Sequence, residues 1–144
     1  MPETPSFSFP KQERLKSKKL IEAVFAGGQK TKAWPLVAKH VDAPLPDDVP
    51  CQVVISVSKR SFKRAVDRNR IKRLMREAWR LQKHLLYEGL KAHEKQRAVV
   101  LIYVGKELPN FEGMQACVER LIGKMNQSLA SINTQNTEAT DEET

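Results

Sequence analysis

From Ile71 to Leu85 apolar residues return at every third or fourth position: Ile71, Leu74, Met75, Ala78, Leu81 and Leu85. This is the rhythm of an amphipathic helix, predicted to run from Ser61 or Ala65 to the mid-eighties. At about 100° per residue, Arg68, Asn69, Lys72, Arg73, Arg76 and Arg80 fall on the opposite face. Arg70 and Trp79 fall on the two flanks of the apolar stripe. A shorter helix is predicted from Arg14, where Leu15, Leu20 or Ile21, Val24 and Phe25 share a face and Gly27-Gly28 ends it. Trp34–Val41 and the β-branched run Gln52–Ser58 read as strands, with Ser58 as a cap for the long helix. Between them, the Pro- and Asp-rich 42–50 stretch is a loop, with room for one more hairpin strand near 42–52.

Past the long helix, Tyr87–Gln96 reads as a polar connection. Arg97–Val104 is apolar almost throughout, which predicts a strand buried on both faces. Phe111–Leu129 repeats Met114, Val118, Leu121, Ile122, Met125 and Leu129 at helical spacing. The predicted fold is therefore α+β, with the order α-β-β-(β)-α-β-α and helices packed on a small mixed sheet. One domain is expected over 14–129, between a flexible segment 1–13 and a disordered acidic tail 130–144. In the first segment, Phe7 and Phe9 either pack across a groove or stay exposed.

Charge sharpens this picture. Lys59, Arg60, Lys63, Arg64, Arg68, Arg70, Lys72, Arg73, Arg76 and Arg80 oppose only Asp67 and Glu77, a local net of +8. The whole chain of 144 residues also carries +8, so the remainder holds 15 residues of each sign and is neutral. A merely solvated helix interleaves Glu with Lys at i, i+4. A row of cations at helical pitch instead suits the phosphates of a nucleic acid.

Catalytic chemistry is not visible. His40, His84 and His93 are scattered, and Cys51 and Cys117 stand alone as reduced, partly buried thiols. GGQKT at Gly27–Thr31 lacks the Gly before Lys that a phosphate loop needs, and it comes after a helix instead of a strand. No apolar run approaches the roughly 18 residues of a membrane span, and the N-terminus lacks the core of a signal peptide. A cytoplasmic protein with no membrane association, no protein partner, no metal site and no active site of its own is expected. A DNA-reading helix-turn-helix is disfavoured because a strand, not a short helix, precedes the basic helix.

At RNRIKRL, Arg68–Leu74, preceded by ISVSKR at Ile55–Arg60, the chain resembles the protein subunit of bacterial ribonuclease P. The likeness spans about residues 14–129. It implies an α/β sandwich with a left-handed β-α-β crossover through the basic helix. It also implies a role as the non-catalytic subunit of a ribozyme-based endoribonuclease that matures the 5′ end of tRNA. The catalytic RNA subunit would cleave the precursor-tRNA leader with Mg²⁺ held mainly by RNA, while the protein binds that RNA and the single-stranded leader.

Matched to the family's signature, Arg68, Asn69, Arg70, Lys72, Arg73 and Arg76 face the RNA, with Arg70 off the main arc in a structural role. Lys59, Arg60, Lys63, Arg64 and Arg80 extend the RNA-binding set. Ile21, Phe25 and Lys39 occupy the leader cleft, where the family more often carries aromatic residues. Trp34 and Trp79 are read as half-buried packing residues. The alternative is a structural, ribosomal-type RNA-binding protein without a processing role.

Overall fold

The computed structural model describes residues 10–134; Phe7, Phe9 and the tail from residue 135 lie outside the described residues. The order is α1 (Lys18–Gly27), β1 (Gln29–Ala33), β2 (Leu36–Asp42), β3 (Cys51–Val57), α2 (Ala65–Ala92), β4 (Arg97–Tyr103) and α3 (Phe111–Thr134). The four strands form one sheet in the order β1-β2-β4-β3. β4 sits inside it, antiparallel to β2 and parallel to β3. Its place explains its composition: six of its seven residues are buried, as the apolar run predicts. The parallel pair β3–β4 is joined through α2, the β-α-β unit that carries the basic helix.

Strand alternation divides the core into two layers. Leu36 and Ala38 of β2, Val53 and Val57 of β3, and Val99, Leu101 and Tyr103 of β4 face α2 and α3. Ala98 and Val100 of β4, with Val41 and Val54, face Leu15, Leu20, Ile21 and Val24 beneath α1. Thus α2 and α3 cover one face of the sheet and α1 crosses β2 and β4 on the other.

Ser17 starts α1 by accepting from the Leu20 N–H at 3.2 Å, and the Gly28 N–H closes it on Val24 O at 2.9 Å. A Cβ at Gly28 would lie 2.5 Å from Val24 O and 2.9 Å from His40 O, so only glycine lets the helix end this close to β2. Arg97, buried at the start of β4, donates to Asp42 at the end of β2 over 2.7 Å. Gln96 fastens the intervening loop by accepting from Leu45 N and donating to Val49 O.

Four expectations are corrected. The extra strand is not near 42–52 but at Gln29–Ala33, joined to β2 by a turn with a cis Trp34–Pro35 peptide. QKTKA is an edge strand with only Ala33 buried, so it shows no hydrophobic alternation. Residues 87–92 are not a polar connection: α2 continues to Ala92 because Tyr87 and Leu90 are buried. Arg14 and Leu15 precede α1, Arg14 making a parallel bridge with Val53. Finally, α3 runs past Leu129 to Thr134.

Candidate nucleic-acid interface

Ile71, Met75, Ala78, Trp79, Leu86 and Leu90 anchor α2 in the core. Each large one contributes about 1.5–3 kcal/mol, against a few tenths for a like-charge pair at i, i+4. Core packing can therefore hold a helix whose other face repels itself. On that face Asn69, Arg70, Arg73 and Arg76 are exposed, and Arg68, Lys72 and Arg80 are half-buried. Arg70 is exposed with no ion pair among the described residues, so its expected structural role is not found. Arg80 is bound by Glu77 through two bonds of 2.9 and 3.1 Å, which hold the Glu77 carboxyl below its ordinary range. It is thus partly neutralised, and the same carboxylate also feels the Arg76 charge. Leu85, placed on the apolar stripe, is 44% exposed, while Lys83 is buried in its stead.

Lys59 and Arg60 in the turn and Lys63 and Arg64 beside the helix start are exposed. Ser58 does not cap α2; its hydroxyl accepts from the N–H groups of Arg60 and Ser61, shaping the turn. Helix α2 begins after Arg64 without a side-chain cap. Its free N–H groups and positive dipole end therefore add to these cations. Arg68 reaches back to donate to Phe62 O and Lys63 O, both at 2.8 Å. Of the signature residues, Arg68 is the one that builds the loop.

At the β3 edge, Lys72 and Arg76 line a groove of about 410 Å³ with Arg14, Leu15, Val54 and Ile55. Arg14 is carried there by the 3-10 turn Lys11–Glu13. Glu13 fixes that turn to α2: one carboxylate oxygen accepts from Lys83 Nζ at 2.5 Å and Tyr87 OH at 2.9 Å. Burial, then the charges of Cys51 and Glu13, push the Tyr87 phenol up, so it remains a donor. Sequence reading missed this contact because its partners stand about 70 positions apart.

On the other face, Phe25 and Lys39 lie together. Lys39 Nζ lies 5.2 Å from the centroid of the half-exposed Phe25 ring, a cation–π pair. Ile21, one turn earlier on α1, packs against the smaller core. Two residues were missed. Lys30 pairs directly with Lys39 across β1–β2, and Lys32 pairs with Val37, which places both lysines on Lys39's face. With β1 unrecognised, their alternation carried no signal.

Trp79 is fully buried, but Trp34 is 68% exposed and not a core residue. Burial pushes both Cys51 and Cys117 thiols up, away from nucleophilic character. His40 is buried against Thr31 Oγ1, and burial followed by the Arg97 charge lowers it to about 4. No helix among the described residues is long and apolar enough to cross a membrane.

The sequence matches the family model Ribonuclease P over residues 9–126. It is 34% identical over 120 residues to a ribonuclease P protein component from Porphyromonas gingivalis, covering 83% of this chain and 88% of the relative. To one from Chlorobium phaeobacteroides it is 36% identical over 125 residues, covering 80% and 86%. The fold matches the RNase P protein of Staphylococcus aureus with a TM-score of 0.61 at 21% identity, covering 80% of this chain and 96% of that one.

Proposed function

The chain belongs to the ribonuclease P protein family, and from that premise we propose that it binds the catalytic RNA subunit and the 5′ leader of precursor tRNA. The observation that carries this reading is the exposed, almost acid-free row Asn69–Arg70–Arg73–Arg76, continued by Lys72 into the groove with Arg14. Such a row suits an RNA backbone. The leader would lie on the opposite face of the sheet, along Phe25, Lys39, Lys30 and Lys32. There charge does more than stacking, because Lys39 already takes up one face of the Phe25 ring.

Endonucleolytic chemistry is assigned to the RNA subunit, with Mg²⁺ held mainly by RNA. Among the described residues no three His, Cys, Asp or Glu side chains gather in one place. The protein's part is to neutralise phosphates and align the leader, which lowers the Mg²⁺ needed for assembly. If six phosphates are neutralised, the logarithmic salt slope of binding is about −4 to −5.

The test is cleavage of a precursor tRNA by a cognate ribonuclease P RNA at low millimolar Mg²⁺, with and without the protein. Cleavage at the mature 5′ end that depends on the protein, and fails with an Arg73→Glu/Arg76→Glu variant, supports the reading. RNA binding without any stimulation refutes it and favours a structural RNA-binding protein.

A further inference from the structure

Trp34 ends the β1–β2 hairpin at the edge of the sheet where β3 and β4 also stop, as the partner pairs Leu36–Tyr103 and Val57–Tyr103 show. Its indole is the most exposed large hydrophobic side chain among the described residues. It is not a loose tip. From α3, Cys117 Sγ donates to Ala33 O at 2.9 Å, Arg120 donates to Trp34 O at 3.1 Å and Lys124 donates to Lys32 O at 2.7 Å. Three side chains thus hold the hairpin by its carbonyls and present the ring outward.

Beside the ring opens a cavity of about 710 Å³, lined by Trp34, Pro35, Tyr103, Leu108, Asn110 and Met114 among others. Tyr103 fixes its outer wall by donating to Glu107 O at 2.8 Å. Leu108, in the lining, adds half-exposed apolar surface. Lys106 lines the cavity beside one carboxylate, Glu107. Arg120 and Lys124 bond only neutral carbonyls and have no ion pair among the described residues. A rigid, exposed indole beside a largely apolar cavity, with the Arg120 guanidinium on its own carbonyl, matches a base with its phosphates.

We propose that this cavity takes an unpaired nucleobase of the RNA subunit, stacked on Trp34, with Arg120 and Lys124 on the flanking phosphates. The inference rests on the RNA-binding function proposed above. Position selects the RNA subunit over the leader. The cavity lies on the α3 side of the sheet, away from Phe25 and Lys39. Its Tyr103 wall meets Phe62, ring centroids 6.1 Å apart, so it adjoins the cationic loop that opens α2. An RNA strand lying on α2 therefore reaches it around the end of the sheet.

The experiment uses the two tryptophans of the full chain. Because Trp79 is buried, collisional quenching by acrylamide reports Trp34. Saturating RNA subunit, without precursor tRNA, is expected to shield Trp34 from acrylamide. Trp34→Ala should weaken RNA-subunit binding about 5- to 150-fold with an unchanged salt slope, while Trp34→Phe keeps most of the affinity. Arg120→Gln should instead flatten the salt slope by about one phosphate. Trp34 remaining fully quenchable in the saturated complex overturns the proposal, as does shielding that begins only when precursor tRNA is added. Failure of the unaltered chain to bind the RNA subunit at all refutes the underlying function, and this site with it.

Discussion

Glu13→Gln should destabilise the fold far beyond what a single ion pair usually costs. Lys83 is 2% exposed and its partner Glu13 14% exposed, so the ammonium sits in the core against the Glu13 carboxylate. The amide keeps the shape but not the charge, so the buried cation loses its Glu13 countercharge. Removing one member of a buried pair costs about 3–5 kcal/mol, a large share of the roughly 5–15 kcal/mol that holds a domain together. At some 3–5 °C per kcal/mol for a domain of this size, the melting midpoint should fall by about 10–25 °C.

The comparison is internal. Arg80 and Glu77 form an ion pair of the same kind at 31% and 46% side-chain exposure. Glu77→Gln should therefore cost less than about 1 kcal/mol. Thermal and urea unfolding monitored by far-ultraviolet circular dichroism measure both. Glu13→Gln/Lys83→Met, which removes both charges, should recover most of the loss. A Glu13→Gln cost no greater than that of Glu77→Gln, or a double variant worse than the single, would refute the argument. Because Glu13 holds the turn that delivers Arg14 to the groove, the single variant should also weaken RNA binding below its melting point.

The remaining predictions concern other parts of the molecule. His40 is neutral in the fold, with its pKa lowered to about 4, and faces Thr31, Arg97 and Asp42. The unfolded chain binds its proton near 6.5, so stability should fall as pH drops from about 6.5 toward 4. The total is about 3 kcal/mol, and the slope between about pH 6.5 and 5 should vanish in His40→Gln. Gly28→Ala should cost about 1–3 kcal/mol because its Cβ meets backbone oxygens. Gly27→Ala, where a Cβ meets nothing within 4 Å, should be neutral or stabilising in the same melts. Arg73→Glu should reduce RNA affinity with unchanged unfolding. Arg68→Glu should lower both, since Arg68 also ties down Phe62 and Lys63. Equal unfolding curves for these two variants would contradict the loop assignment.

What the sequence by itself determined is what local period and charge can encode. The 3.6-residue rhythm set α2 and its cationic face, the unbroken apolar run Arg97–Val104 marked the central strand, and the excess of cations named a polyanion as partner. Residues 68–74, with the preceding strand end and the order of the flanking elements, were enough to identify the family. Other features depended on which distant segments meet. QKTKA is a strand only because Leu36–His40 pairs with it, and Lys30 and Lys32 join the cleft through that register alone. Lys83 looks solvated until Glu13 arrives from the other end of the domain. Arg68 looks like one cation of a row until the loop folds back onto it. Trp34 and Trp79 are alike as letters, yet α3 holds one outward and the core encloses the other. Periodicity reports how a segment faces its immediate neighbours; burial and pairing are set by contacts across the chain, which only the tertiary structure decides.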